Sequence, residues 1–351
     1  MELSDRERAS TDPIQGVLHP VPREPSAASH AAGPVRGILR LAALLGLILL
    51  PIGSPALAEA FEITLVSSGD SAIYDRVAKA FESALERLCG GQTGAACRKV
   101  NVIRSTLEEA ETLPDGQGLV VTIGSGTARR LAREPLKRPV VHTLLPEAAY
   151  QQLKADSRIE RHTALFLEQP LERQLKLAEL LAPGDSHIGV LLGPTNHALE
   201  TLFRDHFNSG HAQQIEIEQV TDPDEIGFKL NRLLKRSDLL LALPEPSVYN
   251  RGTVRTILLS TYHRKRPVIG YSASYVKAGA LAAVYSTPQQ IGECTASMVK
   301  EYLASENETL PPPRHPRQFS VDINTRVAES LGIAPPAAAD LEAQLRERER
   351  P

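Results

Sequence analysis

The sequence predicts an α/β fold with two tandem halves, each built around a parallel sheet that helices cover. Two observations lead to this prediction. Short apolar runs alternate with amphipathic helical patterns, and the alternation restarts near His187 after one half is complete. Parallel strands that are buried on both faces have such continuous apolar sequences. The length of 351 residues also suits two domains of ordinary size.

The first half contains four predicted strands, at residues 61–66, 100–103, 119–123 and 139–143. A helix is predicted over 71–88, because Val77 and Phe81 recur on one helical face. The third strand ends at residues 124–126, Gly-Ser-Gly, and passes directly into a helical pattern. Such a turn presents backbone N–H groups and the positive end of a helix to an anionic or polar ligand.

The second half repeats the pattern without a recognisable sequence repeat. Its strands are predicted at residues 187–193, 215–220, 238–243 and 267–270, with helices at 197–208 and 223–235. After it come a strand at 280–286, a helix at 288–304, a stiff spacer of prolines at 311–313, a strand-like run at 319–324 and a short helix at 325–331. Residues 334–351 are rich in Ala and Pro and then in charge, so we expect a flexible, solvated tail.

Residues 1–58 are predicted to be an amino-terminal extension and signal peptide. Arg36 and Arg40 precede an apolar run at 41–50, and an Ala-x-Ala cleavage motif ends at Ala58. The alternative is an uncleaved membrane anchor, although the run is shorter than the roughly 20 residues that a spanning helix needs. We therefore expect cleavage after Ala58 and a mature protein in the periplasm.

Charge and motifs argue against nucleic-acid, cofactor and metal chemistry. A net charge of -3 provides no basic field for nucleic acid. Gly124 and Gly126 lack the third glycine of a dinucleotide fingerprint, where Arg129 stands, and they follow the third strand instead of the first. The Cys and His residues show no zinc-ligand spacing. No catalytic constellation is recognisable, so we expect a binding protein with no cofactor, metal or enzyme activity.

Cys89 and Cys97 flank a Gly-rich loop and are candidates for a disulfide. In an oxidising compartment the pair would staple this loop. Two free thiols are the alternative. The third cysteine, Cys294, lies within a helical pattern and is expected to be a buried, inert thiol.

Small polar residues follow the predicted strands of both halves. In open α/β sheets, ligands bind at the carboxyl ends of the strands. Two such sheets that face each other would bring these residues into one cleft. The candidate ligand-binding residues are Ser67, Ser68, Gly69, Ser125, Gly126, Thr127, Thr143, Thr195, Asn196, Glu245, Tyr271 and Ser272. Each residue alone would also suit an ordinary helix cap or turn.

Four segments in a specific order carry a family resemblance. They are residues 119–126 followed by a helix, 170–177 running into 188–191, 276–282, and 321–333. With these markers, residues 61–333 resemble the ABC-transporter substrate-binding proteins of the group that includes tryptophan- and tyrosine-uptake receptors. The resemblance implies the type I periplasmic-binding-protein fold, with two lobes joined by three crossings near 163–168, 283–287 and 318–322. It also implies that hinge closure clamps a ligand between the lobes.

The resemblance further implies domain boundaries and partners. Lobe 1 would comprise 59–165 and 286–318, and lobe 2 would comprise 166–285 and 319–333. The ligand would be an amino acid or another small polar solute, and the partner would be an ABC permease in the inner membrane. The protein would be a monomer, as the resemblance implies.

The loop after the strand at 238–243 departs from the family that the chain resembles. Those proteins usually carry Asp or Asn there, whereas this chain has Pro-Glu-Pro-Ser at 244–247. Glu245 is then the only carboxylate placed to receive the ammonium group of an amino-acid ligand. The ligand class and the transport role stay open. A periplasmic sensory receptor that acts on a membrane kinase or chemoreceptor is one alternative, and an exported α/β enzyme is another.

Overall fold

A five-stranded parallel sheet organises the first lobe in the computed structural model. Its strands are β1 Phe61–Ser67, β2 Val100–Thr106, β3 Leu119–Ile123, β4 Val140–Leu145 and β5 His162–Phe166. They lie in the order β2-β1-β3-β4-β5, with every neighbouring pair parallel. The first four strands confirm the sequence prediction, whereas β5 occupies residues for which the sequence suggests only a crossing between lobes.

A six-stranded sheet organises the second lobe. Its strands are β6 His187–Leu192, β7 Gln214–Gln219, β8 Leu239–Leu241, β9 Val268–Gly270, β10 Ala282–Tyr285 and β11 Ser320–Ile323. They lie in the order β11-β10-β9-β8-β6-β7. Only the edge strand β11 is antiparallel to its neighbour, β10. The predicted alternation of strand and helix is confirmed in this half as well.

Helices cover both faces of each sheet. In lobe 1 they are α1 Ala72–Cys89, α2 Leu107–Ala110, α3 Ser125–Leu131, α4 Glu147–Asp156 and α10 Pro288–Ala304. In lobe 2 they are α5 Leu171–Leu181, α6 Leu199–Asn208, α7 Ile226–Leu233, α8 Val254–His263, α9 Ala273–Ala278, α11 Thr325–Leu331 and α12 Ala338–Arg348, with a 3-10 helix at Pro223–Glu225. Helix α10 follows the point where the chain returns from lobe 2 to lobe 1. It begins with a capping box between Thr287 and Gln290.

The structure describes residues 60–67, 69, 71–89, 100–110, 118–182, 184–208 and 213–349. The predicted signal segment, with its cleavage site after Ala58, lies outside these residues, and so do Ser68 and Cys97. No helix within the described ranges is long and apolar enough to cross a membrane.

The chain crosses between the lobes three times, as the family resemblance implies. The first crossing joins β5 to α5, and the second joins β10 to α10, which packs on α1 in lobe 1. The chain then runs beside β5, where Arg314 exchanges backbone hydrogen bonds of 3.0 and 2.9 Å with Ala164 and Phe166. The third crossing follows Arg314 and leads into β11. Each lobe keeps separate apolar cores on the faces of its own sheet.

The end of the chain differs from the prediction. The sequence suggests a flexible, solvated tail over 334–351, but residues 338–348 form α12. Leu341 and Leu345, one helical turn apart, are buried in the core of lobe 2. Glu342 accepts a hydrogen bond of 2.9 Å from the backbone N–H of Val321 on β11. The helix therefore belongs to lobe 2 and covers the outer edge of its sheet.

Candidate functional site

The chain leaves each sheet at its carboxyl edge when it changes lobes. β5 ends at Phe166 just before the first crossing, and β10 ends at Tyr285 just before the second. Because the parallel strands of a sheet share one direction, the carboxyl edges of both sheets border the same hinge. The candidate ligand-binding residues lie at these two edges.

A cavity of about 390 Å³ lies at the carboxyl edge of the lobe 1 sheet. Two of the predicted residues, Ser67 and Gly69, line it. Tyr74 and Asp75 of α1 and Arg104 of β2 also line it, and none of these three was singled out from the sequence. Pockets for small molecules commonly start at about 300 Å³, so the volume suits a small solute.

Arg104 is held in place by two carboxylates of α1. Its guanidinium binds both oxygens of Glu82, at 2.6 and 2.7 Å, and lies 2.8 Å from Asp75 Oδ1. Lys79 lies 2.8 Å from the other oxygen of Asp75. The hydrogen bonds from Lys79 and then from Arg104 hold the pKa of Asp75 below its ordinary value. The two negative charges of Asp75 and Glu82 are thus balanced by the two positive charges of Arg104 and Lys79.

Tyr74 packs against the Gly-Ser-Gly turn after β3. A Cβ atom added to Gly124 would lie 2.7 Å from the hydroxyl oxygen of Tyr74. The φ of Gly124 is also 94°, in the region that favours glycine. Both the backbone conformation and the closeness of Tyr74 therefore require glycine at this position. The turn in return supports the Tyr74 ring in the cavity wall.

The residues of this turn differ in how accessible their polar groups are. Ser125 is half-buried and Gly126 is exposed at the start of α3, where no side chain caps the helix. Thr127 is buried, and its hydroxyl donates to the carbonyl oxygen of Ile123 at 3.1 Å. Ser125 and the backbone beside it are accordingly the groups of the turn that a solute can reach.

The carboxyl end of β4 is buried and irregular. Thr143 is buried, with its hydroxyl oxygen 3.0 Å from that of Thr295 on α10. The next residue, Leu144, has a φ of 54°, and the register with β5 shifts between Thr143 and Leu145. A branched side chain rarely adopts such a φ, so the surrounding structure must impose it. Sequence patterns gave no sign of this bulge.

Glu245 lies inside the lobe 2 edge and is 1% exposed. One carboxylate oxygen accepts hydrogen bonds from the backbone N–H groups of Thr195 and Asn196, at 2.9 and 3.2 Å. The other accepts bonds from the hydroxyl and N–H of Ser247, at 2.7 and 3.2 Å. The carboxylate thus fixes the loop that follows β6 against its own loop after β8.

The loop after β6 is built around this carboxylate. A Cβ atom on Gly193 would lie 2.6 Å from Glu245 Cδ and 2.5 Å from Ser247 Oγ, so no larger residue fits there. Asn196 accepts a hydrogen bond of 2.8 Å from the N–H of Gly193, while its buried Nδ2 has no protein partner. Thr195 is exposed, and its side chain is available to a solute.

Three tyrosines form an aromatic cluster beside Glu245. The rings of Tyr271 and Tyr275 lie 4.7 Å apart, and the Tyr249 ring lies 6.5 and 6.3 Å from them. Burial, with a smaller contribution from the negative charge of Glu245, raises the pKa of Tyr271 above its ordinary value. The rings therefore stay neutral near pH 7. Ser272 precedes α9 and makes no side-chain capping bond.

Metal-binding groups and cysteines can be located only within the described residues. Within the described ranges, no group of three or more His, Cys, Asp or Glu residues is arranged to hold a metal ion. Cys89 ends α1, and its predicted partner Cys97 lies outside the described residues, so the disulfide stays a prediction. Cys294 is buried on α10, as the sequence suggests.

Two α/β lobes with largely parallel sheets, joined by three crossings, have the architecture of the type I periplasmic-binding-protein fold. A family model described as ABC transporter substrate binding protein matches residues 108–344. The chain belongs to this family. A search of curated proteins found no match.

Three solved structures illustrate the fold. A ligand-free, open substrate-binding protein with adhesive properties from Clostridium difficile has a TM-score of 0.62 at 16% identity, covering 79% of this chain and 97% of that chain. A conserved domain protein from Vibrio cholerae has 0.54 at 20%, covering 81% and 98%. An ABC domain in complex with L-Trp from Streptococcus pneumonia has 0.53 at 19%, covering 79% and 96%. These TM-scores show a shared fold.

Proposed function

We propose that this protein is a periplasmic receptor that clamps a small polar solute between its lobes and delivers it to an ABC permease. The observation that carries the proposal is that both carboxyl edges border one hinge, with a cavity of about 390 Å³ at the lobe 1 edge. Rotation about such a hinge brings two edges together around a ligand. Membership of the substrate-binding family supports delivery to an importer over sensing or catalysis.

The proposed contacts divide by accessibility. We assign direct contact to the reachable groups, which are Ser67, Gly69, Ser125, Gly126, Thr195, Tyr271 and Ser272, with Tyr74 and Arg104 added from the cavity wall. Ser68, which lies outside the described residues, stays a ligand contact proposed from the sequence alone. We assign a positioning role to the buried groups, which are Thr127, Thr143, Asn196 and Glu245. In this arrangement, reachable hydroxyls bind the solute and buried bonds keep the loops in shape.

Charge favours a ligand with a positive group. Acids and bases balance around Arg104, whereas Glu245 is 1% exposed and has no cation at ion-pair distance among the described residues. Neutral donors satisfy its oxygens but leave a net negative charge in the wall. The ammonium group of an amino acid would offset that charge. Amino acids are therefore the first class to test, and the L-Trp complex of the Streptococcus pneumonia protein supports including aromatic ones.

The proposed function also requires that the protein be exported. We propose that residues 1–58 direct secretion, with cleavage after Ala58, and that Cys89 pairs with Cys97 in the oxidising periplasm. The mature receptor would work as a monomer beside the permease. Mass spectrometry of the secreted protein, with and without reduction, tests the cleavage and the disulfide together.

A ligand screen by thermal unfolding tests the function. We expect one class among amino acids, purines, sugars and small anions to raise the melting temperature of the mature protein. A ligand at 100 times its Kd stabilises the native state by about 2.7 kcal/mol, because it binds that state alone. A correctly folded sample that responds to none of these classes would contradict the proposal.

The Glu245→Gln variant tests the charge argument with the ligand that the screen identifies. We expect Kd for a cationic or zwitterionic ligand to rise about tenfold or more, since a tenfold change corresponds to about 1.4 kcal/mol. Asp224→Asn is the matched control, because Asp224 is an exposed lobe 2 carboxylate that supplies only its backbone N–H to a hydrogen bond. An unchanged Kd in Glu245→Gln would show that the charge of Glu245 does not favour the ligand.

A further inference from the structure

A chain of hydrogen bonds links the three crossings between the lobes. Gln169, in the first crossing, donates from Nε2 to the hydroxyl oxygen of Ser286, in the second, at 2.7 Å. That hydroxyl donates to the carbonyl oxygen of Gln318, in the third, at 2.6 Å. Hydrogen bonds therefore join all three crossings to one another.

Arg173 holds the first and third crossings together from the side of lobe 2. This arginine of α5 is 6% exposed, and one of its terminal nitrogens donates both to Gln169 Oε1 and, at 3.1 Å, to the carbonyl oxygen of Pro316. Its guanidinium also lies 4.2 Å from the ring centroid of Phe319. A single buried cation thus fixes both ends of the third crossing, residues 316–319.

Arg173 forms an ion pair with Glu349, the last described residue of the chain. Glu349, just beyond α12, accepts two hydrogen bonds from the guanidinium, at 2.5 and 2.6 Å. Such a bidentate pair is the strong, oriented form of an ion pair. On the other side, Arg346 donates to the carbonyl oxygen of Phe319 at 3.4 Å and lies 5.2 Å from its ring. The third crossing is therefore enclosed between α5 and the carboxyl-terminal helix.

We propose that α12 and Glu349 act as a hinge brace, which fixes residues 316–319 to lobe 2 and limits how far the lobes open without ligand. Rotation of two lobes requires backbone dihedral changes in the segments that join them. Residues 316–319 cannot supply those changes while Arg173, Arg346 and Glu349 hold them. Loss of the Glu349 carboxylate frees this crossing and widens the range of lobe orientations. The brace lies outside the ligand cleft and operates in the empty receptor.

The Glu349→Gln variant of the ligand-free protein tests the hinge brace. Hydrogen–deuterium exchange of peptides that cover 314–321 should accelerate roughly fivefold or more, while peptides from β3 should exchange as before. Small-angle X-ray scattering should show a broader distribution of radii of gyration. Glu347→Gln is the matched control, because Glu347 is an exposed carboxylate two residues earlier in the sequence. The control should behave as the unmodified protein in both measurements.

A second variant at the same position separates the charge of Glu349 from the length of its side chain. Glu349→Asp retains the charge with a shorter side chain, so its exchange should lie between that of the unmodified protein and that of Glu349→Gln. Unchanged exchange at 314–321 in Glu349→Gln would overturn the proposal. Faster exchange with unchanged scattering would overturn it too, since Glu349 would then only pack the chain end. Neither measurement uses a ligand, so the outcome is separate from that of the ligand screen.

Discussion

His142 is a wholly buried imidazole in the β4 strand of lobe 1. Its Nδ1 lies 2.8 Å from the hydroxyl oxygen of Thr122, and its Nε2 has no protein partner. The ring of His162 lies 5.7 Å away. Burial, with a smaller effect from His162, lowers the pKa of His142 from 6.5 to about 3. The native state therefore keeps this ring neutral, whereas the unfolded chain protonates it below pH 6.5.

Lobe 1 should consequently lose stability in mild acid. Between pH 6.5 and about 3 the unfolded state binds the extra proton, so the free energy of unfolding falls as the pH falls through this window. From pH 7 to pH 5 the contribution of His142 is about 2 kcal/mol. In His142→Asn, which still offers a polar atom to Thr122, this part of the acid sensitivity should vanish. Denaturant unfolding at both pH values measures the difference, and equal pH dependence in the two proteins would contradict the assignment.

At the scale of residues, the sequence indicates where polar groups lie along the chain, but it does not indicate which of them are accessible to a ligand. Glu245 is predicted to meet a ligand ammonium group, and in the structure its four hydrogen bonds come from the loop after β6 and from Ser247 in its own loop. Tyr74 and Arg104 line the cavity, but Tyr74 lies on a helix and Arg104 on a strand. Neither is in the loops after the strands, where ligands of open α/β sheets usually bind. These details depend on contacts between segments far apart in sequence, which local patterns do not encode.

At the scale of elements, α1 and α10 pack closely against each other at Gly292. A Cβ atom on Gly292 would lie 2.6 Å from the carbonyl oxygen of Val77 and 2.6 Å from the Cβ of Ala80. One of these atoms belongs to the backbone, which a side-chain rotation cannot move. The helices can therefore approach this closely only because the residue is glycine.

Gly292→Ala should destabilise the protein in spite of the higher helix propensity of alanine. The added methyl group must push the two helices apart, and such overpacking costs about 1–3 kcal/mol. Gly227→Ala is the control, because a Cβ on Gly227 of α7 meets nothing within 4 Å. The control should gain up to about 1 kcal/mol from helix propensity alone. Chemical denaturation gives both values, and a stabilised Gly292→Ala would refute the close contact.

The elements that the sequence misses have weak patterns. In α12, Leu341 and Leu345 are the buried apolar residues of a segment dominated by Ala and charge, so composition favours a tail. In β5, the apolar run is short and starts at a histidine, and backbone pairing with Arg314 supports its outer edge. Long apolar runs such as β3 and β6 are predictable because each is buried on both faces.

At the scale of the molecule, each lobe has its own apolar cores, and three covalent segments connect the lobes. The alternation of strand and helix, which restarts at His187, is sufficient to predict this two-lobe plan. It does not predict the bonds among the crossings, because the bonded residues are 117 residues apart for Gln169 and Ser286, and 32 residues apart for Ser286 and Gln318. Lobes with independent cores are expected to move as rigid bodies.

Ligand binding should therefore make the molecule more compact without changing either lobe. We expect the radius of gyration in solution to decrease when the ligand found by thermal unfolding is added, because closure brings the carboxyl edges together. Far-ultraviolet circular dichroism should stay constant. A thermal shift without any change in scattering would mean that the solute binds to one lobe and does not close the hinge.

The position of α12 along β11 also affects how the protein behaves toward other chains. β11 is the outer strand of its sheet, and the N–H of Val321 on its free side is bonded to Glu342 of the helix. An uncovered edge strand is a template on which another polypeptide can add a strand. The helix packs along β11, and Glu342 occupies one backbone donor of this edge. The same short helix thus leaves less of this edge open to strand addition by another chain.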